Sequence, residues 1–383
     1  MKESRILIFS ATFGAGHISA AEALIAVLQV KKPSAHIIHL DFGEFLGKTF
    51  NKVVKSTYLE MIKHTPKLWG KFYYHTSKIP AHSAFQRFLN KLGRSKFLEC
   101  VNLLQPDIII CTYPTIAGIL AQLRTEQILN VPLVTIVTDY AVHSQWIHDG
   151  VDLYLVGCEE VNQGLIERGI NPGRIKVTGI PVNPKFSLRL DRRRIAEKFD
   201  LDPDWPTVLI MGGAYGVLES LNRICAMTTH MLFPVQTVVV CGRDEKLFNS
   251  LDTVVAASDN PIRRFGFVHN VEELMTVSDL IITKAGGITV SEALTKQLPL
   301  VIYRPIPGQE EENAGFISKN GAGRVVETEE ELIETVTYLL QHPAMARKIG
   351  RVGNRAIPKK TAARAVEEIL ELLHMFQTAS KTG

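Results

Sequence analysis

Residues 280–293 read Leu-Ile-Ile-Thr-Lys-Ala-Gly-Gly-Ile-Thr-Val-Ser-Glu-Ala, an apolar run that passes through Gly286 and Gly287 into a helical pattern. A strand that turns tightly into a helix is typical of a parallel α/β sheet. The backbone N–H groups of the turn and the positive end of the helix converge there, which predicts an anion site. We expect Gly287 and Thr289 to contribute to that site.

Hydroxyl-binding side chains follow the anion site along the chain. Glu292, one to two turns into the helix, can accept hydrogen bonds from two ribose hydroxyls. Twelve residues beyond Ala293, the segment Pro305-Ile306-Pro307-Gly308-Gln309-Glu310 begins, and Asn313 follows it. The amide of Gln309 and the acid of Glu310 can hold a polyhydroxylated group. Together these residues predict a pocket for a nucleotide sugar.

Strand and helix patterns alternate on both sides of a break near Pro181-Val182-Asn183-Pro184. This alternation predicts two doubly wound, Rossmann-like α/β domains that face a cleft. The predicted boundaries are an N-terminal domain over 1–182, a C-terminal domain over 183–360, and a C-terminal helix over 361–383 that crosses back to the first domain. The expected strands of the two domains are 5–10, 36–41, 107–112, 133–138, 153–157 and 176–179, then 207–211, 237–241, 264–267, 280–283 and 300–303.

Composition restricts the class of protein. The chain has 383 residues, of which 46% are hydrophobic and 21% charged, and this balance is typical of a globular protein. Its five cysteines are scattered and form no metal-ligand spacing, so neither a disulfide framework nor a zinc site is expected. No segment is long enough to span a membrane or to form a signal peptide. We therefore expect a cytoplasmic protein.

Positive charge is concentrated between Lys48 and Phe97, where eleven basic residues oppose one acidic residue, although the whole chain carries only +4. Aromatic residues are interleaved with these cations. Such a mixture suits the surface of an anionic membrane, and we expect Trp69, Lys71 and Phe72 to meet a membrane or a lipid acceptor. A solvated helix face over a core stripe and a nucleic-acid surface are the alternatives. No nucleic-acid motif accompanies the patch, so no nucleic-acid partner is expected.

A histidine follows the first predicted strand, in the loop Ser10-Ala11-Thr12-Phe13-Gly14-Ala15-Gly16-His17. A helix pattern begins there, which places His17 at the mouth of the expected cleft. An imidazole with a pKa near neutrality suits a general base that removes a proton from an acceptor hydroxyl. The alternative is a histidine that caps a backbone group at the start of the helix.

Two further loops follow predicted strands. Gly212-Gly213-Ala214-Tyr215-Gly216 lets backbone amides approach an anion closely, so Gly213 is a candidate diphosphate contact, although a plain tight turn is the alternative. In the segment 138–146, Asp139 can orient an acceptor or an imidazole, or simply cap the end of its strand. His143 and Trp146 in the same segment can line an acceptor groove.

These motifs together resemble the monogalactosyldiacylglycerol synthase and processive diacylglycerol glucosyltransferase family. The resemblance rests on Gly14-x-Gly16-His17, Val137-Thr138-Asp139 with His143 and Trp146, Gly212-Gly213, Phe265-Gly266-Phe267-Val268, Lys284-x-Gly286-Gly287-x-Thr289-x-x-Glu292-Ala293 and Pro307-Gly308-Gln309-Glu310-x-x-Asn313. The chain is similar, more distantly, to the N-acetylglucosaminyltransferase that completes the lipid-linked peptidoglycan precursor.

The resemblance implies a B-type glycosyltransferase that inverts the anomeric centre and needs neither a bound metal nor a cofactor. It implies a hexose moved from UDP-glucose or UDP-galactose to diacylglycerol or a related membrane lipid, by an enzyme peripheral to the inner face of the cell membrane. His17 would be the catalytic base, with Asp139 beside the reacting groups. The donor would be held at the following positions: Phe267 and Val268 for uracil; Glu292 for ribose; Gly213, Gly287 and Thr289 for the diphosphate; Gln309 and Glu310 for the sugar.

Other functions fit the same pocket. A UDP-sugar epimerase shares the two-domain architecture, and a transferase acting on a polyprenyl-linked peptidoglycan precursor shares the donor motif. A nucleotide-sensing or membrane-binding protein would keep the pocket without catalysis. The segment from Lys48 to Phe97, here called the basic aromatic segment, favours a lipid acceptor, because a soluble epimerase has no need of it.

Overall fold

A computed structural model describes residues 3–12, 15–47, 64–77, 93–212, 221–229, 231 and 233–382 of the chain. The chain divides into two compact units. Unit 1 comprises Met1–Pro184, Pro307–Gln309 and Pro358–Gly383, and unit 2 comprises Lys185–Ile306 and Glu310–Ile357. The sequence boundary at 182/183 lies two residues from this division, but the sequence did not predict that Pro307–Gln309 would group with unit 1.

Unit 1 contains a six-stranded parallel sheet with the strand order β2-β1-β3-β4-β5-β6. Its strands are β1 (Arg5–Ser10), β2 (His36–Asp41), β3 (Ile108–Cys111), β4 (Leu133–Ile136), β5 (Leu153–Val156) and β6 (Ile175–Val177). The middle strands are buried on both faces, which explains why they are continuous apolar runs.

The helices described in unit 1 cover this sheet. They are α1 (Ala15–Lys31), α2 (Phe42–Leu46), α3 (Pro66–Ser77), α4 (Arg94–Leu104), α5 (Pro114–Thr125), α6 (Glu159–Ile166) and the C-terminal helix, numbered α16 (Thr361–Thr382), with short 3-10 turns at Ser144–Trp146 and Pro172–Arg174. One core cluster joins Ile6 and Ile8 of β1 to Leu24 of α1 and to Ile369 of α16. The last helix of the chain is therefore part of the core of unit 1.

Unit 2 contains a second six-stranded parallel sheet, with the order β12-β11-β10-β7-β8-β9. Its strands are β7 (Thr207–Met211), β8 (Gln236–Val240), β9 (Ile262–Phe265), β10 (Leu280–Thr283), β11 (Leu300–Tyr303) and β12 (Gly323–Val326). Strand β12 was not predicted. It is a four-residue edge strand that begins with Gly-Arg, so it lacks the apolar run that marked the others.

A 3-10 turn at Pro184–Ser187 precedes the described helices of unit 2, which flank its sheet. These are α7 (Arg192–Lys198), α8 (Leu221–Thr229), α9 (Glu245–Ser250), α10 (Asp252–Ala256), α11 (Val271–Val277), α12 (Gly287–Lys296), α13 (Gln309–Lys319), α14 (Glu329–Gln341) and α15 (Pro343–Arg355). Asp191 caps α7 by accepting from the backbone N–H groups of Arg193 and Arg194. This cap explains why the charged segment after Arg189 becomes a helix.

Candidate active site

The order of strands in unit 1 locates its site. The chain moves from β1 outward to β2 and then returns to the other side of β1 as β3, so the strand order reverses between β1 and β3. Ligands of open α/β sheets bind at the carboxyl ends of the strands at such a reversal. His17, which follows β1, and Thr112, which follows β3, meet there: His17 Nδ1 lies 2.6 Å from the carbonyl oxygen of Thr112.

These contacts fix the protonation of the His17 ring. A carbonyl oxygen only accepts, so Nδ1 carries the proton that it donates to Thr112, and Nε2 keeps its lone pair. Thr138 lies two residues after β4, and its Oγ1 atom is 3.2 Å from the same Nδ1 atom. Thr112 Oγ1 donates in turn to the backbone carbonyl of His17 at 2.9 Å. The geometry therefore presents Nε2 as the basic nitrogen.

Aromatic rings surround His17. The ring of Tyr113 lies 5.0 Å away, centroid to centroid, and that of Trp146 lies 6.4 Å away. Burial lowers the pKa of His17 to about 4, against a smaller opposite effect of the Thr112 carbonyl. The pKa is therefore lower than the near-neutral value expected from the sequence, because burial disfavours the charged imidazolium. The imidazole is neutral at pH 7. The side chain also bonds to the loop after β3, so it is not the cap of its own helix.

Asp139 is buried next to Thr138 and accepts a hydrogen bond from Gln309 Nε2. Gln309 ends the short segment of unit 1 that begins at Pro307. Gly308 in this segment has φ +100°, and a Cβ there would lie 2.8 Å from the Tyr73 ring, so the position requires glycine twice over. Gln309, predicted to contact the donor sugar, is thus paired with Asp139 in unit 1. In the part of the chain that the structure describes, the ring of His17 hydrogen-bonds Thr112 and Thr138 and no carboxylate.

His143 and Trp146, the predicted lining of an acceptor groove, are both buried. His143 Nε2 lies 3.2 Å from Thr76 Oγ1 and 3.3 Å from the carbonyl oxygen of Tyr73, and its ring is 4.7 Å from that of Tyr73. Ser144 Oγ also donates to the carbonyl of Thr76 at 2.8 Å. In this structure His143 supports α3, while Trp146 packs beside the His17 ring.

Helix α3 belongs to the basic aromatic segment, of which 48–63 and 78–92 lie outside the described residues. Its outer face exposes Lys71 and Phe72, whose side chain is 51% exposed, and Trp69 is half-buried against Phe72 with the ring centroids 5.8 Å apart. A surface pocket of about 560 Å³ lies beside it, lined by Lys67, Gly70, Lys71, Tyr74, His75 and Pro307. Phe97, at the end of the segment, is instead a core residue stacked on Phe45 at 4.5 Å.

In unit 2 the strand order reverses between β7 and β10, which again defines a ligand position. Helix α12 begins there at Gly287, after Gly286, and Thr289 lies in its first turn. Gly286 has an ordinary backbone conformation, and a Cβ added to it would meet nothing within 4 Å. The fold therefore does not require glycine at 286, and the open space beside its backbone suits the close approach of a ligand. Gly213, after β7, lies outside the described residues.

Glu292 is half-buried in the second turn of α12. Burial raises its pKa to about 8; Lys185 opposes the rise and Glu272 adds to it. Lys185 pairs with Glu272 at 2.8 Å. A carboxyl group with a pKa this far above its ordinary value, in the helix that follows the predicted anion site, is a candidate functional group.

Phe267 and Val268 follow β9, two strands from β7. The Phe267 ring is 45% exposed, and the guanidinium of Arg243, which follows β8, lies 4.7 Å from its centroid. The carboxyl ends of β10, β7, β8 and β9 are neighbours about 4.8 Å apart, so this edge of the sheet is long enough for a nucleotide. Arg243 was not identified from the sequence, because its role depends on the aromatic ring that the fold places beside it.

Glu310 and Asn313 lie in the first turns of α13. A Glu310 carboxylate oxygen accepts from the backbone N–H of Ile306 at 3.1 Å, and burial raises the pKa of Glu310 while Lys284 opposes the rise. Asn313 is fully buried, and its Nδ2 donates to the carbonyl of Ala285 at 2.8 Å. Asn313 thereby ties α13 to the loop before Gly286.

The described residues contain no group of three or more His, Cys, Asp or Glu side chains placed to hold a metal ion, and the cysteines are free. No helix in the described ranges is long and apolar enough to cross a membrane.

Two parallel α/β units with loops at a reversal in each sheet define the B-type glycosyltransferase fold. The structure of MurG from Acinetobacter baumannii is similar, with a TM-score of 0.63 and 15% identity over 97% of this chain and 100% of that one. UDP-GlcNAc 2-epimerase from Neisseria meningitidis is also similar, with a TM-score of 0.61 and 15% identity over 96% of this chain and all of that one. At these identities the likeness shows the fold alone, as the sequence predicted.

Family models match both units: monogalactosyldiacylglycerol (MGDG) synthase over residues 17–182 and the glycosyltransferase family 28 C-terminal domain over 207–368. The processive diacylglycerol beta-glucosyltransferase of Bacillus subtilis (strain 168) is 35% identical over 336 residues, which cover 88% of this chain and 87% of that protein. The chain belongs to this family of diacylglycerol glycosyltransferases. The family resemblance inferred from the motifs is thereby confirmed.

Proposed function

We propose that the protein is an inverting hexosyltransferase that moves a hexose from a UDP-sugar to diacylglycerol or a closely related membrane lipid. The observation that carries the proposal is the open space beside Gly286 at the start of α12, with Glu292 in the second turn of that helix, inside the region matched by the family 28 model. The name of the B. subtilis relative, a processive diacylglycerol beta-glucosyltransferase, favours glucose as the sugar and diacylglycerol as the acceptor.

The reaction needs a base for the acceptor and charge stabilisation for the leaving group. The acceptor oxygen forms a bond to the anomeric carbon, and the bond from that carbon to the β-phosphate oxygen breaks, with its electron pair leaving on UDP. The hydroxyl proton passes to His17 Nε2, the nitrogen that the Thr112 contact leaves unprotonated. Attack from the face opposite UDP inverts the anomeric centre.

The residues of unit 2 supply the donor site. Backbone N–H groups at the start of α12 and the positive end of that helix stabilise the charge that develops on the diphosphate. Glu292 accepts from the ribose hydroxyls, and the loop containing Phe267 and Val268 receives the uracil. Glu310 contacts the sugar. No cofactor takes part, because the UDP-sugar is a substrate.

The proposed membrane contact is the exposed face of α3. Leu68 and Phe72 are 58% and 51% exposed there, beside the exposed cations Lys67 and Lys71. Apolar side chains flanked by lysines insert at a lipid interface while the ammonium groups stay near anionic headgroups. We accordingly propose a peripheral enzyme at the inner face of the cell membrane.

Activity is tested by incubating the purified protein with diacylglycerol vesicles and either UDP-glucose or UDP-galactose, followed by mass analysis of the lipids. A hexosyl-diacylglycerol product with one of the donors is expected. UDP-N-acetylglucosamine without acceptor is the parallel arm, and its conversion to an epimer would identify the epimerase alternative. Absence of glycolipid with both donors would contradict the proposal.

Membrane contact is tested by co-sedimentation with vesicles that contain or lack an anionic lipid. We expect the double variant Leu68→Ser/Phe72→Ser to lose binding. The control is Val30→Ser, which removes an apolar side chain that is 77% exposed at the end of α1. Equal binding by the double variant and the control would place the membrane contact elsewhere, and raised salt should weaken wild-type binding through screening.

A further inference from the structure

Catalytic histidines are commonly oriented by a carboxylate that accepts from Nδ1–H and stabilises the imidazolium as it forms. His17 has a different support. Its Nδ1–H faces the Thr112 carbonyl at 2.6 Å and the Thr138 hydroxyl at 3.2 Å, both neutral groups. The one acid adjacent to these residues in sequence, Asp139, accepts from Gln309 instead.

We propose that Thr138 is a positioning residue for His17: its hydroxyl, together with the Thr112 carbonyl, holds the imidazole in the tautomer and orientation that present Nε2 to the acceptor. The inference rests on the proposed function for its catalytic consequence, but the hold on the ring is a property of unit 1 alone. Thr138 lies two residues after β4, and it is buried, so its hydroxyl has a fixed position beside the sheet.

The two threonines have different roles around the ring. Thr112 follows the neighbouring strand β3, bonds the ring through its backbone carbonyl and bonds the His17 backbone through its hydroxyl. Substitution of Thr112 therefore leaves the ring contact in place. The contact from Thr138 is made by a side chain, so a single substitution removes it.

The titratable and charged groups that face the ring are few. Tyr113 contacts it edge to face at 5.0 Å, and burial holds the pKa of Tyr113 above its ordinary value, so it is neutral below pH 10. Trp146 is the other aromatic neighbour. Among the described residues, the hydrogen-bond and ring contacts of the His17 side chain are with neutral groups, so its orientation depends on hydrogen bonds to Nδ1 rather than on charge.

The test compares Thr138→Val, which keeps the shape of the side chain and removes the hydroxyl, with Thr138→Ser, which keeps the hydroxyl. We expect kcat to fall about 3- to 10-fold in the valine variant, the range that the loss of one neutral hydrogen bond gives. The serine variant should stay within about twofold of wild type. The KM for the UDP-sugar and the Kd for UDP should be unchanged in both variants.

The second readout is the ¹⁵N spectrum of His17, which reports which ring nitrogen is protonated without any turnover. Wild type and Thr138→Ser should show a dominant Nδ1–H form, and Thr138→Val should show a measurable gain of the Nε2–H form. An unchanged spectrum and unchanged kcat in Thr138→Val would overturn the inference, as would equal losses in both variants. If wild type forms no glycolipid, the proposed function fails, while the spectra still decide the role of Thr138.

Discussion

Replacing Glu292 with glutamine removes a carboxyl group that the fold of unit 2 holds in an unfavourable place. Burial raises its pKa to about 8 from an ordinary value of 4.5. Between these two pH values the folded protein keeps a proton that the unfolded chain releases, so stability falls as the pH rises. Glutamine has nearly the same shape and carries no charge, so the Glu292→Gln variant does not have this penalty.

The size of the effect follows from the two pKa values. Each pH unit between 4.5 and 8 lowers the unfolding free energy of the wild type by up to about 1.4 kcal/mol. The advantage of Glu292→Gln should therefore be near zero at pH 4.5, about 2 kcal/mol at pH 6 and at most about 5 kcal/mol above pH 8. Rearrangement around the ionised group reduces the upper figure, but the growth of the difference with pH remains.

Urea unfolding measures this difference in unit 2, where Trp205 is the reporter once Trp69 and Trp146 have been replaced with phenylalanine. Glu312→Gln, an exposed change on α13, is the control and should show no pH-dependent difference. The stabilised Glu292→Gln variant should nevertheless bind UDP at least tenfold more weakly at pH 9, where Glu292 of the wild type is ionised, because the ribose hydroxyls lose a charged acceptor. A stability difference that stays constant between pH 5 and pH 9 would refute the reasoning about burial, and unchanged UDP affinity would refute the ribose role.

Three further changes test the donor site of unit 2. Gly286→Ala should leave stability within about 0.5 kcal/mol of wild type, since its Cβ meets no protein atom, yet weaken UDP binding in calorimetry; unchanged affinity would mean that no ligand approaches there. Arg243→Ala should raise the Kd for UDP several-fold without a change in melting temperature, whereas an equal Kd would leave its contact with Phe267 purely structural. Asn313→Ala should cost about 1–3 kcal/mol in denaturant unfolding, because the buried Ala285 carbonyl loses its donor, and a neutral effect would contradict that bond.

The sequence predicts the strands best where a short apolar run ends abruptly. The bounds of β1, β2, β7, β10 and β11 agree with the expected ranges, because each run is bordered by polar residues, glycine or proline. Strand β12 was not predicted in this way, because it is an edge strand without a continuous apolar run. The sequence also gives no sign that Pro307–Gln309 packs with unit 1, because this depends on the fit of Gly308 against Tyr73.

The sequence likewise revealed some residues of the candidate site and not others. His17 was recognised because an imidazole at the mouth of an expected cleft suits a general base, and Glu292 because a carboxylate beside an anion site suits ribose hydroxyls. Thr112 was missed because it acts through a backbone carbonyl, which is tied to no residue pattern. Asn313 belonged to the predicted motif, but the sequence did not show that its side chain supports the loop before Gly286. Thr138 belongs to the motif Val137-Thr138-Asp139, but a carboxylate is the more common partner of an imidazole, so the sequence favoured Asp139.

The central claim is that His17 removes the acceptor proton while the donor is held elsewhere. The most direct measurement compares wild type and His17→Ala in hexose transfer from UDP-glucose to diacylglycerol vesicles and, by calorimetry, in UDP binding. We expect transfer to fall by at least 100-fold, within the range attributed to a general base, and the Kd for UDP to change less than threefold. Transfer within a few-fold of wild type in His17→Ala would contradict the claim.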